Sequence, residues 1–322
     1  MKKRLAAIGT VFLCLLFSAC GRGSGPRLER SQLLGIDDVI CSWGEAQVFI
    51  LTQYTAYGRE YGDSVWSVTL SEGNFESYIR DSLLEYLKTM LLAVYAAEQI
   101  GVSLSESEQR AVELAADSLY SDLGDAAGRF LILKDAVRSA YTHYLMAQIF
   151  YRQTVTDARM EISDEEARVI SLQIVECPAE QGYEQAEVLA EKLKNTQSVS
   201  ETLKDFEGVS VRTENVTRGS YSVEFETIVF ALKQDQWSPV ITEDGKYILV
   251  RCLSPYLATE TNQHKTEMAS AAREESLNKA LKSYARTAQL IYNPDLWAGW
   301  SMEQYSSAPP VDFFRYTAGL EK

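Results

Sequence analysis

The sequence predicts an α+β protein in which a small antiparallel-sheet module is inserted into a discontinuous helical domain. Three observations predict it. Apolar residues recur at helical spacing through most of residues 46–152. Residues 161–258 then alternate short strand-like and helix-like segments. A long amphipathic helix follows, carrying Leu277, Leu281, Tyr284, Ala288 and Ile291 on one stripe. Such a stripe is stabilised mainly by packing against a partner, and the N-terminal helical block is the available one.

Each element has its own signal. Val39 to Glu45 reads as a short strand and turn, running into a helix from Ala46 to about Tyr57. Asn74 is a candidate N-cap for a helix over Phe75–Ile100, with Ile79, Leu83, Leu84, Leu87, Leu91, Val94 and Tyr95 at helical spacing. Gly101 ends it as a C′ glycine does. Ser103 or Ser105 caps the next helix, and Glu106 and Glu108 in its first turn favour the positive end of the helix dipole. A further helix is expected from Ala126 to Arg152. In the second module, Val169–Val175, Val209–Val216 and Tyr247–Leu253 have strand character, while Glu184–Lys194 and Phe225–Leu232 read as helices. The last long helix is expected over Glu260–Tyr292, where Asn293-Pro294 stops it. Divided accordingly, residues 37–160 form a helical domain, 161–258 the inserted module, 259–293 the returning helix and 294–322 an aromatic-rich irregular tail.

The N-terminus supplies an address. Lys2, Lys3 and Arg4 precede an apolar run from Leu5 to Leu16, and small residues Ser18 and Ala19 precede Cys20, so residues 1–19 read as a secretory signal. Leu16-Phe17-Ser18-Ala19-Cys20 resembles a bacterial lipobox, with Phe17 where Leu is usual. That resemblance implies lipidation of Cys20, which becomes the new N-terminus. Gly21 to Pro26 has flexible composition, and residues 20–36 are expected to be a linker. Acyl chains on one cysteine would hold the protein to a membrane face. The expected location is extracytoplasmic, lipid-anchored to a bacterial membrane. Once Cys20 is lipidated, Cys41, Cys177 and Cys252 remain, an odd number that argues against a disulfide framework.

Composition excludes several functions. The chain has 322 residues, 31 Lys and Arg against 45 Asp and Glu, and a net charge of −14. With no basic run beyond the first four residues, a nucleic-acid surface is not expected. Only His143 and His264 could serve a zinc site or a Ser-His-Asp triad, so neither chemistry is expected. No metal site and no cofactor is read from the sequence. Glu106, Glu108, Glu274 and Glu275 read as solvated helix faces, His143 as a structural histidine on a Tyr-rich helix, and His264 as solvated.

Several segments, in this order, resemble the PrsA/SurA-type extracytoplasmic foldases. Trp43-Gly44-Glu45 is similar to the end of the family's Asn-Gly-Glu turn. Ala97 to Glu106 resembles its helix–Gly–Ile-x-Val-Ser-Asp-x-Glu junction. Phe225 to Lys233 is similar to the parvulin Phe-x-x-Ala-x-Phe-x-Leu-Lys helix, with Ile228 in place of Ala. Gln236 to Val240, and Gly245 to Leu249, resemble the family's Ser-x-Pro-Val and Gly-Tyr-His-Ile-Ile segments. The resemblance implies a helical chaperone domain with an inserted parvulin-like peptidyl-prolyl isomerase domain.

It also implies site positions, at which this chain departs from the family. The two facing parvulin histidines fall at Leu172 and Tyr247, and the family's Met falls at Tyr221. Phe225 and Phe230 are the candidate substrate-binding residues, as walls of an apolar proline pocket. Being five apart they cannot share one helical face, so one could face the core while the other lines a cleft; both filling the core is the competing reading. The family sheet further implies that Leu172 lies beside Tyr247. Cys177 and Cys252 would then be roughly 30 Å apart, beyond disulfide reach.

The resulting expectation is a membrane-anchored folding factor that binds unfolded or partly folded secreted proteins, with weak or lost prolyl-isomerase activity. The alternative is a non-enzymatic surface lipoprotein, either ligand-binding or an assembly module. A solute-binding protein would need two lobes of repeated βα units, which the helical first half does not supply. Clients and oligomeric state are not legible.

Overall fold

A computed structural model describes residues 28–157, 161–196 and 198–320. The expected signal peptide, the lipidation site Cys20 and the first part of the linker lie outside the described residues. The chain divides into two compact units, with boundaries at 159/160 and 273/274: the two ends of the chain form one and the middle forms the other.

The first unit opens with β1 (Gln32–Ile36) and β2 (Val39–Ser42), an antiparallel hairpin turned at Asp37, whose φ is 50°. Residues 32–36 were expected in the linker. Leu33, Leu34 and Ile36 are instead buried in strand β1, which is paired on both sides. Its helices include α1 (Trp43–Tyr61), α2 (Phe75–Gln99), α3 (Glu106–Leu123), α4 (Asp125–Arg129), α5 (Lys134–Asp157) and α10 (Pro294–Ala298). Ser42 caps α1 by accepting from the Glu45 amide at 3.1 Å. Asn74 and Ser105 form capping boxes at the starts of α2 and α3.

The helix expected over 126–152 is broken. The chain leaves α4 through Leu131 in the left-handed region (φ 54°), with Ile132 N–H bonding Ala127 O at 2.8 Å. This is the terminating hydrogen-bond pattern usually built on glycine, and it restarts the chain as α5. Gly44 makes room for that loop. A Cβ placed there would lie 3.0 Å from the Ala136 Cβ and 3.4 Å from the Leu131 carbonyl oxygen.

The returning helix is α9 (Ala258–Ala285), which ends seven residues before the expected Tyr292. Leu290–Tyr292 is instead β7, which pairs with β1 to give the order β2-β1-β7. Leu277 and Leu281 of α9 join the core of the helical unit, and Tyr284 packs edge-on to Tyr95 and Phe150. The aromatic tail is part of that core. Trp297, Trp300, Tyr305 and Phe313 are buried, and the Phe313 amide donates to Thr52 Oγ1 at 3.1 Å.

The second unit is a four-stranded antiparallel sheet of order β4-β3-β6-β5, formed by β3 (Ile170–Cys177), β4 (Ser210–Val216), β5 (Ile241–Glu243) and β6 (Lys246–Ser254). Side chains alternate across a strand, and here the alternation separates two cores. Ile170, Leu172, Ile174, Ile248, Val250 and Cys252 pack on one face with Phe225 and Val229 of α8 (Val223–Val229). Val175, Cys177 and Leu249 pack on the other with Ala186, Leu189 and Leu193 of α6 (Tyr183–Lys194). Between them in sequence lies the short α7 (Val199–Leu203). No described helix is long and apolar enough to cross a membrane.

Candidate functional site

The site positions read from the sequence fall in the sheet unit, and the strand register decides which of them meet. β3 and β6 are antiparallel neighbours, but Leu172 stands opposite Cys252, and Tyr247 opposite Cys177. Leu172 points to the α8 face and Tyr247 to the α6 face, where its ring meets Tyr183 edge-on at 5.6 Å. The expected juxtaposition of Leu172 and Tyr247 is therefore corrected. They are five register positions apart and on opposite sides of the sheet. Cys177 and Cys252 are likewise five positions apart, about 17 Å at strand rise. Both are free and buried, and burial pushes both thiols up, which makes them poor nucleophiles.

The β5–β6 hairpin sets this geometry. Asp244 and Gly245 both have positive φ (48° and 74°) and form a two-residue turn between paired Glu243 and Lys246. That turn fixes Lys246, Ile248 and Val250 on one face and leaves Tyr247 on the other.

The remaining positions gather on the α8 face. Ser222 caps α8, accepting from the Phe225 amide at 3.2 Å, and Glu243 on β5 accepts from both the Ser222 amide (2.9 Å) and hydroxyl (2.5 Å). This clamps the start of the helix over the sheet. Phe225 is fully buried and stacks on Tyr221 with ring centroids 4.4 Å apart. Phe230 is also buried, with the Arg168 guanidinium 5.0 Å and the Arg218 guanidinium 4.3 Å from its ring centroid. Both phenylalanines thus belong to the buried cluster on this face.

Tyr221 marks the border between this core and a polar row that the sequence reading missed. Its hydroxyl donates to Glu214 at 2.8 Å and accepts from Arg212 Nη2 at 3.2 Å. Arg212 Nε also donates to Glu214 at 3.1 Å, Arg212 pairs with Glu176, and Lys246 donates to Glu176 at 2.6 Å. Burial raises the Tyr221 phenol, and Glu214 adds to that shift while Arg212 opposes it, so the hydroxyl remains a donor. The legible signal was parity. Arg212 and Glu214 alternate on one face of β4, opposite Ile174 and Leu172 of β3. Chemically the row offers phenol and guanidinium hydrogen-bond donors beside an apolar floor, with no activated nucleophile. Tyr221→Phe is expected to lower the stability of this unit by about 0.5–1.5 kcal/mol, read from denaturant unfolding followed at Trp237, the unit's one tryptophan.

Both histidines are committed elsewhere. His264 Nδ1 lies 3.0 Å from the Ala167 carbonyl oxygen. His143 Nδ1 on α5 lies 2.8 Å from Oε1 of Glu45, whose carboxylate is fully buried at the start of α1. Burial works against the charge on His143, and the Glu45 carboxylate more than offsets it, so the imidazole pKa is raised. The neighbouring Cys41 thiol is pushed well up by burial and by Glu45. Among the described residues no group of three or more His, Cys, Asp or Glu could hold a metal ion.

No family model matches the chain, and no curated protein matches it. Solved structures to which it is similar include foldase protein PrsA from Lactococcus lactis, at 13% identity and TM-score 0.33, covering 85% of this chain and 98% of that one. The peptidyl-prolyl isomerase PrsA of Bacillus cereus matches at 14% identity and TM-score 0.33, covering 79% and 98%. A SurA-like chaperone of Campylobacter jejuni matches at 12% identity and TM-score 0.31, covering 82% and 99%.

Proposed function

We propose that this chain is an extracytoplasmic folding factor, tethered to a bacterial membrane through lipidated Cys20, that binds non-native secreted polypeptides. Its sheet unit is a prolyl-isomerase-like module of weak or lost activity. The observation that carries the binding role is a set of large apolar side chains left in water on the helical unit. Leu114, Leu131 and Leu133 are 70%, 76% and 69% exposed. The Lys134–Asp117 and Arg138–Glu113 ion pairs draw α3 against the start of α5 and bring the segment carrying Leu114 against that carrying Leu133. Leu131 also holds a left-handed backbone conformation, which is uncommon for a bulky residue. Exposed apolar groups rimmed by charge suit the transient capture of unfolded chains.

The weak-isomerase half of the proposal rests on the site's chemistry. Twisting a prolyl amide crosses about 18–20 kcal/mol. It is assisted by an apolar pocket and a donor that favours the twisted state. Here Leu172 and Phe225 are sealed in the core, and the donors Tyr221 and Arg212 are engaged with Glu214 and Glu176. The test is prolyl isomerisation of a short proline peptide by the purified full chain. The expected result is a rate within about tenfold of the uncatalysed relaxation, which takes tens to hundreds of seconds at 25 °C. Acceleration of a thousandfold or more at micromolar protein, lost in Tyr221→Phe, would contradict this half and make the module an enzyme.

A further inference from the structure

The four-stranded sheet has one long free edge. β4 hydrogen-bonds to β3 on one side only, and β5, the other edge, is three residues long. All of Ser210–Val216 except Glu214 and Val216 is exposed, Val211 to 44%. Among the described residues, no backbone group of this segment bonds anything outside the sheet. A flat edge of this length is a template for another strand, and its side chains say which strand fits.

We propose that β4 pairs with β4 of a second copy of this chain, antiparallel about a two-fold axis through Thr213. In that register Thr213 faces Thr213 of the second copy. Arg212 faces Glu214, Glu214 faces Arg212, and Val211 faces Asn215. Arg212 and Glu214 both sit on the α8 face, so the opposite charges meet on one side of the joined sheet, twice over by symmetry. Opposed unlike charges on facing strands stabilise pairing, and like charges oppose it. The register is compatible with strand chemistry whichever set of amides points outward, because each facing pair has the same parity. The pairing also covers Val211. Seven residues a side make a small interface, in the size class of weak, transient contacts. The association is therefore expected at high local concentration, as on a membrane face. It is independent of the folding-factor role.

Cysteine cross-linking in the full chain reads the register directly. The native described cysteines are buried, so wild type gives the background. Opposed residues of an antiparallel pair have Cα atoms about 4.5–5.5 Å apart, within disulfide reach. Thr213→Cys is therefore expected to form a covalent dimer under mild oxidation. Val211→Cys and Asn215→Cys should each stay monomeric alone and cross-link when mixed. Added to Thr213→Cys, Arg212→Glu or Glu214→Arg should slow cross-linking about tenfold. Mixing those two double variants should restore it, which a merely misfolded variant would not do. The proposal is overturned if Thr213→Cys cross-links no faster than wild type. It is equally overturned if Val211→Cys alone cross-links as readily, or if the edge captures an extended heterologous peptide while Thr213→Cys stays monomeric.

Discussion

Glu45→Ala is expected to lower the stability of the helical unit by about 3–5 kcal/mol, because removing one partner of a buried ion pair leaves the other uncompensated. Glu45 is fully buried, and His143 Nδ1 lies 2.8 Å from its Oε1. Unfolding of the helical unit, followed by far-ultraviolet circular dichroism in urea, reads the loss. A double replacement, Glu45→Leu with His143→Leu, should recover most of it, since both charges then leave the core together. The pair also makes stability depend on pH in a defined direction. The folded His143 pKa lies above its ordinary value of 6.5. The folded state therefore holds a proton that the unfolded chain releases. The contribution is fully present below about pH 6.5 and is lost as pH rises through the raised folded value. Wild type should lose stability over that alkaline window, and His143→Leu should show a flatter profile.

Phe313→Ala should cost about 3–5 kcal/mol, the range for removing a large buried aromatic. Phe313 is fully buried, stacked on Tyr141 at 4.3 Å and packed against Phe49 at 4.8 Å, and its carbonyl accepts from the Tyr141 hydroxyl at 2.9 Å. The loss should release the C-terminal segment first. Its other anchors on the helical unit are the buried Trp297, Trp300, Met302 and Val311 and polar contacts such as Tyr305 to Gln47 at 2.6 Å and Val311 to Thr55 at 2.9 Å. Hydrogen exchange over residues 294–320 should accelerate at denaturant concentrations that leave α2 protected. Unchanged exchange there would show that the tail is held by something other than the Phe313 cluster.

Which features were legible follows from where their information resides. Helix starts and stops with local chemistry were readable: Asn74 and Ser105 cap, and Gly101 takes φ 78° just past α2. The break after α4 was not readable, because Leu131 stands where glycine is the usual signal and packing against Gly44 helps hold the loop. β1 and β7 were read as linker and helix because three to five residues carry little periodicity, and only pairing makes them strands, β1 with β2 and β7, and β7 with β1. In the sheet unit the longer elements were legible, while the short β5 and α7 and the register were not. Sequence resemblance placed Leu172 beside Tyr247, whereas the Asp244-Gly245 turn, a strong hairpin signal on its own, fixes Tyr247 on the far face. The polar row of Arg212, Glu214, Glu176 and Lys246 joins three strands, so no single segment of sequence announces it. The buried role of Glu45 was hidden for the same reason, since its partner lies 98 residues away.

Suppression of aggregation tests the central reading most directly. A chemically unfolded, aggregation-prone protein is diluted into the purified full chain, and light scattering is followed at increasing molar ratio. Near-stoichiometric suppression is expected for wild type, with most of it lost in Leu131→Ser/Leu133→Ser, whose changes fall on exposed side chains and leave the fold in place. Scattering that rises as fast with the chain as without it, at tenfold molar excess, would contradict a polypeptide-binding role.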